Sequence, residues 1–246
     1  MKIAVVIPSR YASTRFQGKP LALICEKPMI QMVYERAVQA EKITEVVVAT
    51  DDQRIVDAVT AFGGRAMMTS ESNRSGTDRV AEAAEKIGLE PDDIVVNIQG
   101  DQPLIKPECI DEVVAPFFTE PDLGMSTLAF AIIEEDEFTN PKDVKVTFDN
   151  NGYALYFSRS PIPFDRDGDS SFDMYKHLGV YAYTRRFLEM FRSLPQGKLE
   201  KIEKLEQLRA LEYGHRIKVV VTRHDSPEVD LPEDIIRIES RIQLIR

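Results

Sequence analysis

The feature that most constrains this chain is a series of short, continuously apolar runs set between segments of helical period. "KIAVVIP", "EVVVAT" and "DIVVNIQGD" show no wet face. A strand without alternation has to be covered on both sides, as in a parallel sheet between helices. The intervening segments supply those helices. "KPMIQMVYERAVQAE" places Ile30, Val33, Tyr34 and Ala37 on one face. "DDQRIVDAVTAFGG" has Asp51 or Asp52 to cap its start and Gly63 to stop it, and "SGTDRVAEAAEKIG" opens on capping residues and closes on a glycine. "RAMMT" is a short strand between them. Strand and helix therefore alternate, which predicts an α/β layer with right-handed crossovers.

The pattern changes after residue 124. "MSTLAFAII", "DVKVTFD" and "YALYFSR" are strand-like with short connections, and "DNNG" at 149–152 is a hairpin signal. "SPIPFDRDGDSSFDM" is a long loop, of a kind that often carries function. "YKHLGVYAYTRRFLEMF" reads as strand then helix. "LEKIEKLEQLRALEYG" predicts one amphipathic helix with Leu199, Ile202, Leu205, Leu208 and Leu211 as its stripe. "RIKVVVT" is a strand, and "LPEDIIRIESRIQLI" a closing helix with Pro232 near its start. The expected fold is a mostly parallel central sheet flanked by helices, with an inserted mixed-strand portion, in a single domain over 1–246.

A formal charge of -10 argues against a general nucleic-acid binder, which needs a basic face. Against that background the cations of "IPSRYASTRFQGKPL", Arg10, Arg15 and Lys19, point to a small anionic ligand held in one place. Cys25 and Cys109 form no CxxC motif and read as two small buried apolar residues. The start "MKIAVVIPSR" has too short an apolar run for a signal peptide, and no run is long enough for a membrane helix. The cytoplasm is the expected location.

Four stretches carry candidate chemistry. The opening loop follows the first strand, where open α/β sheets bind ligands. Gly18 permits close backbone approach, and forked arginines with a lysine suit a triphosphate. A solvated basic loop is the plain alternative. "NIQGDQPLI" presents Asp101 at the sheet's rim, as a Mg²⁺ ligand or as a turn aspartate. "EVDLPED" offers Asp230, as a second metal ligand or as a helix cap. "RSGTDR" starts a helix with free N–H groups, and Arg79 one turn in can reach a base or hold the loop. His177, one of three histidines, is a site residue or a structural one, and Glu206 and Gln207 in the leucine-rich helix are site residues or part of a solvated face; His215 and His224 receive no role.

Taken in order, "IPSRYASTRFQGKPL", "SGTDR", "VVNIQGDQPLI", "YALYFSR", "KHLGVYAY", "EKLEQLRALEYG" and "VDLPED" make the chain similar to the 3-deoxy-manno-octulosonate (Kdo) cytidylyltransferases over nearly its whole length. The resemblance implies a nucleotide-diphospho-sugar transferase-like fold, with a nucleotide-binding part at 1–124 and a sugar-binding and dimerisation part at 125–246. It implies Arg10 and Lys19 on the CTP phosphates with Ser9, Ser13 and Arg15 nearby, and Ser75, Thr77 and Arg79 at the cytosine. Asp101 and Asp230 correspond to Mg²⁺ ligands. Gln99, Arg159, Arg166, His177, Tyr181, Glu206 and Gln207 correspond to the pocket for an acid sugar of the Kdo type. Such enzymes are usually homodimers, paired through the inserted strands. Three positions depart from the usual pattern: Gln17 replaces a proline, Gln102 a glutamate, and Lys176 an arginine. The blocks around His177 and Leu208 look at least as close to the branch that takes 8-amino-3,8-dideoxy-Kdo.

Overall fold

The computed structural model describes residues 1–12, 15–168 and 172–245. The apolar runs become strands. β1 (Ile3–Ser9) is followed by the small hairpin β2 (Leu23–Ile24) and β3 (Lys27–Pro28), then α1 (Met29–Ala37), β4 (Glu45–Thr50), α2 (Gln53–Ala61), β5 (Ala66–Met68), α3 (Gly76–Ile87), β6 (Ile94–Asn97) and α4 (Pro107–Val114). The second half holds β7 (Met125–Ala131), α5 (Glu135–Thr139), β8 (Lys145–Phe148), β9 (Ala154–Ser158), β10 (Tyr175–Thr184), α6 (Arg185–Ser193), α7 (Lys198–Glu203), α8 (Leu208–Glu212), β11 (Lys218–Thr222) and α9 (Asp234–Ile245).

Seven strands lie in the order β11-β7-β10-β6-β1-β4-β5, with β8 joined to β10 and β9 to β8. β1 runs parallel to β4 and β6, β4 to β5, and β7 to β11. β10 is the reversed strand, antiparallel to both β6 and β7. The β8–β9 hairpin is the mixed-strand insertion and touches β10 through the pair Lys176 and Lys145. The sheet crosses the 124/125 division, because β10 lies between β6 and β7.

Side-chain alternation along β1 sets the layers. Ile3, Val5 and Ile7 pack with Ile30, Val33, Ile55 and Ile110 on one face; Ala4 and Val6 pack with Val80, Ala84, Leu188 and Leu208 on the other. Each buried Val, Leu or Ile stabilises the fold by about 1.5–3 kcal/mol. The expected caps are present. Asp52 Oδ1 accepts from Arg54 N at 3.0 Å, and Ser75 Oγ from Asp78 N at 3.1 Å. A third, smaller cluster joins Ile24, Met29 and Leu104 to Val229 and Ile238.

Two sequence expectations are corrected. The segment after Leu199 is two helices, not one. Lys204 takes a left-handed φ of 55° and ends α7, leaving Ile202 exposed while Leu205 and Leu208 are buried. The physical reason is the pair formed by buried Glu200 and Arg209, bonded at 2.6 and 2.8 Å. In an unbroken helix, residues nine apart lie on opposite faces and about 13 Å apart along the axis. The break lets them meet. Cys25 is exposed, not buried; Cys109 is buried, and burial pushes its thiol up to about 11.

Candidate active site

β1 and β6 are adjacent parallel strands, so their ends set Ser9 and Arg10 beside Gln99, Gly100 and Asp101. Gly100 permits this approach. A Cβ there would stand 2.9 Å from Ser9 Oγ and 3.4 Å from Pro8 O. The Ser9 hydroxyl is buried with no hydrogen-bond partner among the described residues. Beyond Arg10 the chain reverses at Gly18, with φ 71°, its N–H donating to Tyr11 O at 2.9 Å. The reversal carries Lys19 back to β6. Lys19 Nζ lies 2.5 Å from Asp101 Oδ2, 3.0 Å from Val229 O and 4.0 Å from Asp230 Oδ1. Arg15 Nη1 donates to Asp230 Oδ2 at 3.2 Å, and Arg10 Nη2 to Asn73 O at 2.5 Å.

The third cluster explains how a residue from the far end of the chain arrives here. Val229 is fully buried in it, and its N–H donates to Asp101 O at 2.9 Å. Val229 thereby anchors its two neighbours beside Asp101, and Glu228 and Asp230 both line the adjoining crevice. The crevice has a volume of about 400 Å³. Asp101 and Asp230 are thus within one ammonium's reach of each other, as a shared ion requires. Asp101 Oδ1 is buried without a partner, and the donors are hard oxygens, so the pair fits Mg²⁺. Among the described residues no cluster of three or more His, Cys, Asp or Glu is arranged to hold an ion, so an ion here would share its coordination with phosphate and water.

The far wall is built by β10, whose register shifts between Leu178 and Tyr181. His177 and Tyr181 line the crevice, with ring centroids 5.3 Å apart. The Thr127 hydroxyl lies 2.8 Å from Val180 O and 2.9 Å from His177 Nε2, which it holds in place within the crevice wall. Burial holds the His177 pKa down to about 3. It is a neutral ring. Burial likewise raises the Tyr181 phenol far above its ordinary value, first among its causes, so it remains a donor. Glu206 sits at the break between α7 and α8 and accepts from Thr77 Oγ1 at 2.5 Å; burial chiefly raises its pKa. Arg159 donates to Glu203 O at 2.7 Å and Pro141 O at 2.8 Å. Backbone carbonyls orient this guanidinium, and no carboxylate among the described residues pairs with it.

Of the residues expected from sequence, Arg15, Thr77, Gln99, Asp101, Arg159, His177, Tyr181, Glu206 and Asp230 meet in this crevice. Ser75 lines a neighbouring pocket with Arg74 and Arg209. Ser9, Arg10 and Lys19 stand beside the crevice and not in its lining, Lys19 through its contact with Asp101; three other residues lie apart from it. Arg79 is fully buried and spends its guanidinium on Asp51 and Thr69, so it holds the loop instead of reaching a base. Gln207 is buried at the start of α8, and Arg166 is exposed in the loop before β10. Ser13 lies outside the described residues. The structure adds Asn97, Lys142 and Glu228 to the lining. Glu228 is exposed overall, yet the protein crowded about its carboxyl group, and then Asp101 and Asp230, raise its pKa to about 7. Its signal in the sequence is its spacing of two from Asp230 in "EVD".

A cytidylyltransferase family profile matches residues 4–217. A 3-deoxy-manno-octulosonate cytidylyltransferase from Desulfosudis oleivorans is 69% identical over 98% of this chain and 97% of its own. An 8-amino-3,8-dideoxy-manno-octulosonate cytidylyltransferase from Shewanella piezotolerans is 57% identical over 99% of each. The solved structure of a CMP:2-keto-3-deoxy-manno-octonic acid synthetase complexed with CTP superposes with a TM-score of 0.93 at 41% identity, covering all of both chains. With that likeness running from β1 through the Asp101–Asp230 crevice, the chain belongs to the 3-deoxy-manno-octulosonate cytidylyltransferase family, the 8-amino branch included.

Proposed function

We propose that this protein transfers CMP from CTP to the anomeric hydroxyl of 3-deoxy-manno-octulosonate or of its 8-amino-3,8-dideoxy analogue, activating the sugar for lipopolysaccharide assembly. The observation that carries this reading is the meeting of Asp101 and Asp230 around Lys19 at one crevice, with Arg159, unpaired by any carboxylate among the described residues, on its wall. In the reaction the anomeric oxygen attacks the α-phosphorus and its proton is lost. The α–β bridge breaks, and pyrophosphate leaves with the bonding pair.

Catalysis is positioning and charge neutralisation. Lys19, Arg10 and Arg15 take the triphosphate and the developing pyrophosphate, while Ser9 and Ser13 offer hydroxyls. Thr77 and Ser75 lie at the base end. Asp101 and Asp230 hold Mg²⁺, which when bound neutralises α-phosphate charge and favours loss of the hydroxyl proton. Arg159 pairs with the sugar carboxylate. It is favoured over Arg166 because it lines the crevice. Gln99, the Nδ1 of His177, the Tyr181 hydroxyl and Glu206 bind sugar hydroxyls.

The working form is proposed to be a homodimer joined through the β8–β9 insertion, supported by exposed Leu155 and Phe164 there and in the loop that follows. A cytoplasmic site of action accords with CTP as donor. No helix among the described residues is long and apolar enough to cross a membrane. Pyrophosphate release is the test, with CTP and each sugar, before and after chelation of divalent ions. Release with one or both sugars that stops on chelation is expected; no release with either sugar would overturn the reading.

A further inference from the structure

Glu228 is the acidic residue of the crevice that has no ion pair among the described residues, Lys19 acting on it only from a distance. Asp101, Asp230 and Glu206 each have a lysine or arginine within 4.0 Å, at Lys19, Arg15 and Arg209. Among the described residues, no ion pair includes Glu228. Its described hydrogen bond comes from Gln102 Nε2, at 3.2 Å. Gln102 is fully buried, so this donor is fixed, and buried Val229 fixes the backbone beside it.

The carboxylate's position is equally specific. A Cβ at Gly179 would stand 3.4 Å from Glu228 Oε1 and 3.5 Å from the Gln99 side chain. Gly179 lies between His177 and Tyr181 on β10. Glu228 therefore faces the wall assigned to the sugar, while keeping enough open surface in the crevice to meet a ligand. Arg159 lines the same crevice, with no ion pair to its guanidinium among the described residues. One pocket thus presents a positioned guanidinium and a positioned carboxyl group that an approaching ammonium would hold in its ionised form, a pairing suited to a zwitterion.

We propose that Glu228 determines the acceptor by binding an ammonium group on the sugar, so that the preferred substrate is an amino-bearing octulosonate and not its hydroxyl counterpart. This rests on the cytidylyl-transfer reading above. The relatives' names include both sugars, so names do not choose between them; the residue does. A hydroxyl bonded to a carboxylate has charge on one side only, whereas an ammonium adds a full opposite charge and its direct attraction in a partly enclosed crevice. A preference of about ten- to a hundredfold in kcat/KM is expected from one such contact.

The test compares kcat/KM for 8-amino-3,8-dideoxy-Kdo and Kdo in the wild type, Glu228→Gln and Glu228→Asp, with Mn²⁺ affinity read by electron paramagnetic resonance in the presence of CTP. The wild type should favour the amino sugar, and Glu228→Gln should lower that ratio about tenfold or more, chiefly through KM. Glu228→Asp should keep part of the preference, and Mn²⁺ affinity should change less than about twofold. A wild type that favours Kdo or neither sugar overturns the proposal, whether or not the variants fold. An equal loss on both sugars with weakened Mn²⁺ binding also overturns it, and makes Glu228 part of the metal centre. Absence of turnover with both sugars overturns the transfer reading itself, and this proposal with it.

Discussion

Replacing Asp101 with Asn removes one charge from the proposed metal pair and almost no volume. The backbone bond from Val229 N to Asp101 O, 2.9 Å long, does not involve the side chain and survives. Lys19 keeps Val229 O at 3.0 Å and Asp230 at 4.0 Å, so the loop has partners to hold it. The fold should persist while turnover falls about 100- to 1000-fold, or ~2.7–4 kcal/mol, the size of losing one preorganised transition-state stabiliser. The same change has an independent electrostatic signature. After burial, Asp101 is the largest cause of the raised Glu228 pKa of about 7, so Asn at 101 should move that value down. The sign for stability follows. A carboxyl whose folded pKa exceeds its unfolded value, about 4.3, binds its proton more tightly when folded. Its contribution is greatest in acid and is lost as pH rises toward 7. Pyrophosphate release at saturating CTP and sugar gives the first readout; a carbon NMR titration of the Glu228 carboxyl gives the second. A variant that turns over within tenfold of the wild type refutes the role of Asp101, and an unmoved Glu228 titration refutes the electrostatic account.

Arg159→Gln should raise KM for the sugar about ten- to a hundredfold with CTP affinity little changed, since its guanidinium is held by carbonyls and its charge is free for an anion. Calorimetry showing lost CTP binding instead would reassign it. His177→Ala should weaken sugar use selectively. Because the ring stays neutral down to about pH 3, the variant should keep the wild-type pH–rate limbs above pH 5, and a lost limb near pH 6.5 would contradict the neutral ring. Gly100→Ala should lower stability by about 1–3 kcal/mol by crowding Ser9 and Pro8. An unchanged melting temperature would sink that account of the glycine.

The fold was legible where the sequence obeys a single rule. Unalternated Val and Ile runs can only be doubly covered strands, and β1, β4 and β6 are that. Asp52, Ser75 and Gly88 mark helix ends locally and do so here. Legibility fails where a distant contact outbids the local pattern. The leucine stripe from Leu199 to Leu211 satisfies helical spacing, yet Glu200 reaches Arg209 only if the helix breaks at Lys204. α4 was not read at all: its buried face, Cys109, Ile110, Val113 and Val114, follows a proline and precedes another, so its period is cut short.

The same division runs through the site, and it says why half of it had to await a structure. Asp101 is displayed by its own strand's end, so its place follows from β6 alone. Asp230 and Glu228 owe theirs to Val229, and Val229 is buried only because Ile24, Met29, Leu104 and Ile238 converge from separate parts of the chain. No local rule distinguishes a buried valine from an exposed one between two acids, so "EVD" yields Asp230 as a cap or a ligand and leaves Glu228 unread. Arg79 errs in the opposite direction. One turn into α3 it has the reach for a ligand, but its side chain is enclosed and Asp51 and Thr69 close on it. Proximity in sequence to a helix start fixes how far a side chain can extend; whether it extends into ligand or into protein is decided by what the other strands bring alongside.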